Sequence, residues 1–287
     1  MITDIPLDFS ALSTLYCGRA YQLTCVKGID NSSPATMLGG AVHKFLELRA
    51  LGRADGLLDI CRGIVGDTAV DLGKLVMICS TLDTRLSFNG LLHDTEGVPL
   101  VEYKFSIPYR TIGDYRIILC GTIDRLTYRD NAMIFADYKT CAATGAAADR
   151  ICREYITSFQ LPFYLYVIHK YLHKFLPTTL AEAALSLNIR GHYTMIYHSI
   201  VPAKIEDTAA VFIQPPDILY IEQLIDYAIN RILSIRSCNT LQPPEGTLYK
   251  MCPKCNYHAL CSIADHDRLL HAINSSPTRQ YDPTNFR

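Results

Sequence analysis

Two aspartates and one lysine lie close together in residues 121–140, which read GTIDRLTYRDNAMIFADYKT. Two apolar, β-branched runs are separated there by a polar stretch, a pattern that predicts a β-hairpin. If Asp130-Asn131 forms the two-residue turn, since both residues tolerate positive φ, the register places Asp124 opposite Asp137. Side chains alternate along a strand, so Asp137 and Lys139 share one face. We therefore expect three ionisable groups to converge on the hairpin.

Two carboxylates that face each other across a sheet repel, unless positive charge lies between them or one of them is protonated. A divalent cation is the simplest source of that charge. Carboxylate oxygens suit Mg²⁺ or Mn²⁺, which also bind substrate phosphates. The alternative is that Asp124 and Asp137 lie on a solvated strand face with Lys139 as their counter-ion, because surface ion pairs are common. The hairpin alone leaves both interpretations open.

The hairpin resembles the RecB-like branch of the PD-(D/E)XK nucleases, because G-x-I-D-R is followed by a hydrophobic run and D-Y-K-T. That branch places a metal-binding histidine in a G-x-x-x-H-x-x-L pattern on an early helix, and residues 39–46 match it with His43. It also has a glutamine and a tyrosine four positions apart on the helix after the lysine strand, which Gln160 and Tyr164 match. Without these companion motifs, His43 would be an ordinary helix histidine paired with Glu47 one turn on.

The resemblance implies an α/β fold with a restriction-endonuclease-like core, in which a central mixed β-sheet is flanked by helices. It also implies a role for each matching residue. Those residues are the metal ligands His43, Asp124, Asp137 and Tyr138 (through its backbone carbonyl), the catalytic groups Lys139, Asp124 and Asp137, and the substrate-binding residues Gln160 and Tyr164. Lys139 would stabilise the developing negative charge beside an attacking water.

The cysteines give a second, independent signal. Three of the eleven cysteines form a C-x2-C-x5-C loop: Cys252, Cys255 and Cys261. Three thiolates around one metal centre require a fourth ligand, and no second cysteine or histidine pair lies nearby in sequence. The chain resembles the RecB-like exonucleases with an iron–sulfur cluster, including CRISPR-associated ones, which add an N-terminal cysteine. The resemblance implies Cys17 as the fourth ligand of a 4Fe–4S cluster, with Cys25 or His258 as competing ligands and zinc as the alternative metal.

The remaining pattern predicts one nuclease domain over residues 1–273, with the cluster formed by about 10–25 and 250–263 and a disordered tail at 274–287. The elements predicted along the chain are a helix ending near Cys17, the His43 helix, mixed helix over about 56–92, a strand over 102–107, an alanine-rich loop over 140–153, a helix over 159–176, strands over 185–189 and 193–201, and a helix over 217–235. Glu102 is an accessory acidic candidate, although pairing on the strand surface near Lys104 is the favoured interpretation.

Composition limits the classes of function. At 49% hydrophobic residues the chain can form a large core, and no apolar run approaches the length of a membrane span, so we expect a soluble, cytoplasmic protein without membrane partners. A formal net charge of −1 argues against an avid, nonspecific nucleic-acid coat protein. There is no P-loop, which excludes a self-contained helicase-nuclease.

We therefore expect a metal-dependent DNA exonuclease that hydrolyses phosphodiester bonds on single-stranded DNA or DNA ends, in recombination, repair or CRISPR-type DNA processing, with a protein partner from one of those processes. The alternative of a different class is a nonhydrolytic DNA-end-binding or scaffold subunit with the same fold. A zinc-stabilised endonuclease is a third possibility. The set of His43, Asp124, Asp137 and Lys139 favours the enzyme, because a scaffold has no need of opposed carboxylates.

Overall fold

The computed structural model has two compact units, and the α/β class with a mixed sheet and flanking helices is confirmed. The first unit comprises Met1–Ser32, Phe105–Gly121 and Leu219–Arg287, and the second comprises Ser33–Lys104 and Thr122–Ile218. The structure describes residues 2–29, 33–53, 55–66, 70–86, 88–177, 188–238, 240–242, 252, 255, 257–261 and 266–275. Within these ranges, none of the helices has the length and hydropathy of a membrane span.

The strands define the topology of the fold. They are β1 (Thr3–Leu7), β2 (Val101–Ile112), β3 (Tyr115–Arg129), β4 (Ala132–Cys141), β5 (Asn188–Tyr197), β6 (Lys204–Asp207) and β7 (Val211–Phe212). In the second unit β3 and β4 are antiparallel, β4 and β5 are parallel, and β6 and β7 both pair antiparallel with β5. Parallel β4 and β5 need a long crossover, which the intervening helices provide.

The predicted hairpin register is confirmed over the paired residues. Asp130 and Asn131 have φ of 50° and 56°, as a type I′ turn requires. Arg129 pairs with Ala132, and the pairing continues to Arg125 opposite Ala136. The next residues outward on the two strands are Asp124 and Asp137.

Three helices cover one face of the sheet in the second unit. They are α3 (Pro34–Ala50), α4 (Leu57–Val65) and α5 (Leu72–Arg85). The Ser33 side chain accepts the Thr36 N–H and Pro34 occupies the first turn, so the sequence specifies the start of α3. Buried residues of these helices pack against Tyr138 and Ile196 of the sheet.

The opposite face of this sheet is covered by the helices that connect β4 to β5. They are α6 (Gly145–Ile156), α7 (Gln160–Lys170) and α8 (Leu172–Phe175). A side chain at Gly191 on β5 would come within 3.3 Å of Leu165 and 3.4 Å of Leu161, so the glycine lets α7 pack closely on the strand.

The first unit joins N-terminal and C-terminal segments. Its helices are α1 (Phe9–Thr14), α2 (Gly18–Tyr21), a π-helical turn (Gln22–Val26), α9 (Pro215–Arg236, which begins in the second unit), α10 (His258–Cys261) and α11 (His266–Asn274). β1 pairs in parallel with residues 115–119 of β3. In the core of this unit, Cys17, Ala20 and Leu23 of the N-terminal segment pack with Tyr257 and Ile273 of the C-terminal segment.

Several predicted elements differ from the observed ones. The expected loop over residues 140–153 contains most of helix α6, because alanine has the highest helix propensity. The first helix ends at Thr14 rather than near Cys17, and the helix expected over 159–176 is interrupted at Tyr171. One strand, β5, replaces the two expected over 185–189 and 193–201, of which 185–187 lie outside the described residues. The expected tail beyond Ser275 also lies outside them.

Candidate active site

Four polar side chains of the second unit lie close together, next to the end of the β3–β4 pairing that is farthest from the turn. His43 comes from α3, Glu102 from β2, Asp124 from β3 and Asp137 from β4. All four lie in the second unit. The site is therefore assembled from segments far apart in the chain but within one compact body.

His43 is the centre of this arrangement. Its Nδ1 lies 2.7 Å from Glu102 Oε1 and 3.6 Å from Asp124 Oδ2, and its Nε2 lies 3.3 Å from the Tyr138 carbonyl oxygen. One ligand atom from each of His43, Glu102 and Asp124 lies within 4.8 Å of the others. In the part of the chain that the structure describes, no other three histidine, cysteine or acidic residues meet this criterion.

Asp124 marks the point where the hairpin pairing stops. Its Oδ2 accepts a hydrogen bond of 2.8 Å from the Tyr138 N–H, a donor that a regular ladder would pair with the neighbouring strand. The carboxylate thus replaces a backbone acceptor. As a result, the Tyr138 carbonyl lies beside His43 while the Tyr138 ring stays in the core.

Asp137 lies beside this group with its own set of partners. Its Oδ1 accepts a hydrogen bond of 2.8 Å from Gln160 Nε2, and its Oδ2 contacts the ammonium of Lys139. Only 2% of Asp137 is exposed. The predicted shared face of Asp137 and Lys139 is thus observed, and Gln160 joins them from the first turn of α7.

Burial and charge perturb the pKa values of Asp124, Asp137 and His43. Burial raises the pKa of Asp124 to about 6, against the opposing effect of His43. Burial and the neighbouring Asp124 raise the pKa of Asp137 to about 7, although Lys139 opposes this. Burial lowers the pKa of His43, but the charges of Asp124 and Glu102 outweigh it and raise that pKa to about 10. A site rich in carboxylates therefore holds an imidazolium when no other cation is present.

Glu102 is a site residue that the favoured interpretation of the sequence missed. Instead of pairing near Lys104, its carboxylate binds His43. Glu102 has φ of 48°, a left-handed conformation that is rare for a side chain other than glycine and that interrupts the regular alternation of β2. The sequence feature that could have identified Glu102 as a site residue was an acidic side chain on the strand before the hairpin.

The two predicted substrate-binding residues have different surroundings. Gln160 contacts Asp137 and so belongs to the site. Tyr164 is 7% exposed, stacks on Phe135 with ring centroids 5.2 Å apart, and its hydroxyl accepts the Thr122 N–H at 3.4 Å. Direct contact of Tyr164 with a substrate stays a prediction. Glu47, the alternative partner for His43, pairs instead with Lys44 at 2.6 Å.

The four cysteines expected to act together lie together in the first unit. Cys17, Cys252, Cys255 and Cys261 line one cavity, along with Tyr16, Ala20 and His258. The Tyr257 N–H donates to Cys255 Sγ at 3.4 Å, a contact that orients this sulfur. Cys25 lies on the π-helical turn and does not line this cavity, and burial raises the pKa of its thiol to about 12.

The donor chemistry at His43 fits a hard divalent cation. An imidazole, carboxylates and a backbone carbonyl are the ligands that Mg²⁺ and Mn²⁺ accept in proteins. Burial raises the pKa of both Asp124 and Asp137, and a bound cation would favour their ionised forms. The residues present therefore fit the metal implied by the sequence.

A comparison with protein families agrees with this geometry, because a family model described as the PD-(D/E)XK nuclease superfamily matches residues 9–262. No curated protein matches the chain. Among solved structures, a candidate exonuclease from Eubacterium rectale is similar with 10% identity and a TM-score of 0.46, covering 80% of each chain. A protein designated SSO0001 is similar with 14% identity and a TM-score of 0.34, covering 91% of this chain and 87% of the other.

Proposed function

The chain belongs to the PD-(D/E)XK nuclease superfamily, and we propose that it is a divalent-metal-dependent DNA exonuclease of the RecB-like branch. One observation above all supports the proposal. Ligand atoms of His43, Glu102 and Asp124 lie within 4.8 Å of one another, next to a buried Asp137 that contacts Lys139. A structural role does not explain this, because closely spaced buried carboxylates destabilise a fold that gains nothing from them.

We assign His43, Asp124 and Tyr138 as metal ligands from these contacts, and Asp137 from the family resemblance and its position beside them. His43, Asp124, Asp137 and the carbonyl of Tyr138 would hold Mg²⁺ or Mn²⁺, with Glu102 as a further ligand or as the group that orients His43 through Nδ1. When bound, such an ion lowers the pKa of a water molecule and neutralises charge on the phosphate. As a metal ligand His43 would be neutral, so it would give up the proton that the charges of Asp124 and Glu102 favour.

The chain's own residues prepare the site for phosphodiester hydrolysis. Lys139 offers an ammonium whose donors can face the attacking water and the phosphate oxygens, stabilising the charge that develops during attack. Gln160 fixes the orientation of Asp137 through its 2.8 Å hydrogen bond. We therefore assign Gln160 as a residue that positions Asp137. The proposal that Tyr164 contacts the DNA strand depends on the family resemblance.

DNA with free ends is the proposed substrate, because the hairpin, His43 pattern and cysteine spacing all resemble RecB-like exonucleases. The same resemblance suggests recombination, repair or CRISPR-type processing as the setting. A nonhydrolytic DNA-end-binding subunit would not require Lys139 beside Asp137. The partly buried Lys139, which contacts the Asp137 carboxylate beside the proposed metal ligands, favours the enzyme.

We further propose that Cys17, Cys252, Cys255 and Cys261 bind a structural 4Fe–4S cluster. Their common cavity supports one shared centre. Zinc would need sulfurs about 3.8 Å apart, given a zinc–sulfur distance of about 2.3 Å. Among the described residues these sulfurs form no group of three within 4.8 Å, which favours a larger cluster. Closing the long loop between Cys17 and Cys252 would constrain the unfolded chain.

The activity is tested with end-labelled single-stranded DNA in Mn²⁺, with EDTA as the negative control. We expect stepwise shortening that Asp124→Asn and Lys139→Ala abolish while DNA binding persists. Asp130→Asn is the matched control, because Asp130 lies in the exposed turn of the same hairpin. Circular single-stranded DNA separates the modes of attack, since an exonuclease leaves it intact. Binding without cleavage by the wild-type protein would support the scaffold subunit and overturn the proposal.

The cluster is tested separately by anaerobic purification, absorbance spectroscopy and quantitation of iron and sulfide. We expect about four irons and four sulfides per chain, as a 4Fe–4S cluster requires. Cys17→Ser should lower the iron content, whereas Cys25→Ser should not. Stoichiometric zinc without iron would refute the cluster and leave the nuclease proposal intact.

A further inference from the structure

The ammonium of Lys139 lies against two aromatic rings that the family resemblance does not assign to the site. Its Nζ is 5.6 Å from the ring centroid of Tyr155 on α6 and 5.6 Å from that of Tyr193 on β5. The two rings lie 5.3 Å apart at an interplanar angle of 43°. Distances below about 6 Å are those at which a cation is attracted to an aromatic face.

Both rings are held in place by the fold. Tyr193 is fully buried, and its hydroxyl lies 2.8 Å from Ser158 Oγ in a hydrogen bond. Its backbone faces Asp137 in the parallel β4–β5 pairing, which places its side chain on the face that carries Asp137 and Lys139. Tyr155 is half-buried in the penultimate position of α6, so the second ring comes from a separate element.

We propose that Tyr155 and Tyr193 are positioning residues that form an aromatic clamp on Lys139. The clamp consists of these two rings, and the inference rests on the proposed function of Lys139. A lysine side chain has four rotatable bonds and loses rotamer entropy when it is fixed beside a reacting group. An aromatic face attracts the ammonium without occupying any N–H donor. Asp137 takes one donor of Lys139, so two remain for water and phosphate.

The clamp explains why Lys139 lies beside Asp137 at only 18% side-chain exposure instead of extending into solvent. Because small displacements of a catalytic group reduce rate steeply, loss of one ring should affect the chemical step more than binding of DNA. The expected fall in kcat is about tenfold, equivalent to about 1.4 kcal/mol, with KM changed by less than about twofold.

The test compares Tyr155→Leu and Tyr193→Leu with Tyr155→Phe and Tyr193→Phe. Leucine removes the aromatic face, whereas phenylalanine keeps it, so phenylalanine should restore kcat to within about threefold of the wild type. Tyr128→Leu is the matched control, because Tyr128 is a partly exposed tyrosine of the same unit that bonds Asn131. Equal losses in the leucine and phenylalanine variants, or unchanged kcat in Tyr155→Leu, would overturn the inference.

A second readout does not depend on activity. In the wild-type protein, the NMR signals of the Lys139 Cε–Hε group, assigned by their loss in Lys139→Arg, should be shifted upfield by the rings. Tyr155→Leu should move them toward the position of a solvated lysine, and Tyr155→Phe should not. If Tyr193→Leu fails to fold, the half-buried Tyr155 decides the question. Wild-type protein without nuclease activity but with shifted signals would refute the proposed function and keep the clamp, whereas an active protein with unshifted signals would refute the clamp alone.

Discussion

Replacing Asp137 with asparagine should make the metal-free protein more stable while abolishing its activity. Asp137 is almost fully buried, and burial together with Asp124 raises its pKa to about 7. Asparagine has the same shape without the charge, and its oxygen can still accept the hydrogen bond from Gln160. The variant therefore removes a buried charge that the fold itself does not need.

The magnitude follows from the pKa. A change from the ordinary value of 3.8 to about 7 spans about three pH units, each equivalent to about 1.4 kcal/mol. The stabilisation gained by removing the charge of Asp137 is therefore at most about 4 kcal/mol at pH 8. Lys139 loses a counter-charge in the variant, which offsets part of the gain, so we expect a net stabilisation of about 1–2 kcal/mol. For a protein of this size that corresponds to about 2–8 °C in Tm.

The pH dependence has a definite sign. The pKa of Asp137 is higher in the folded than in the unfolded protein, so its contribution to stability is fully present below about pH 4 and is lost as the pH rises through about 7. The advantage of Asp137→Asn in Tm should therefore grow between pH 4 and 7 and stay constant above that range.

Thermal unfolding in EDTA and in saturating Mn²⁺ provides the assay. Mn²⁺ at a hundred times its Kd should stabilise the wild type by about 2.7 kcal/mol, and the variant much less, so the order of Tm reverses. Asp130→Asn should behave like the wild type in both conditions. The reasoning fails if Asp137→Asn unfolds at a lower temperature than the wild type in EDTA at pH 8, or if Mn²⁺ stabilises both proteins equally.

Further substitutions test other contacts. Glu102→Gln should raise the Mn²⁺ concentration for half-maximal cleavage at least about tenfold, and an unchanged metal titration would exclude Glu102 from the metal site. Gln160→Leu should lower kcat about tenfold by freeing Asp137, with Tm within a few degrees of wild type; unchanged kcat would contradict its role. Asn131→Val should cost about 1–2 kcal/mol in urea unfolding, because a β-branched residue resists φ of 56°, and Asn131→Gly should not.

Local chemistry made the hairpin predictable. Asp130-Asn131 tolerate positive φ, so they fix the turn, and the turn fixes which residues of two adjacent strands face each other. The shared face of Asp137 and Lys139 then follows from the two-residue period of a strand. Neither step needs information about distant parts of the chain.

Contacts between distant segments were harder to predict. The position of His43 relative to Asp124 came from the family resemblance, since no spacing rule relates a helix to a strand some 80 positions later. Glu102 was misjudged because its left-handed backbone re-aims the side chain, and composition does not reveal such a conformation. The helix α6 was missed because its alanine-rich sequence was interpreted as a loop, although Ala148, Ile151, Cys152 and Tyr155 recur at helical spacing.

The hydrogen bond from the Tyr138 N–H to Asp124 Oδ2 has a consequence for the choice of cation. This hydrogen bond uses one lone pair of Oδ2 and holds the Asp124 carboxylate in one orientation, which a buried amide would resist losing. The peptide chain thus orients the carboxylate before any ion arrives. Ca²⁺ often takes bidentate carboxylates in seven- or eight-coordinate shells, whereas Mg²⁺ accepts single oxygens in an octahedron. A carboxylate held in one orientation would therefore fit the smaller ion better, because single-oxygen ligation needs no reorientation of Asp124.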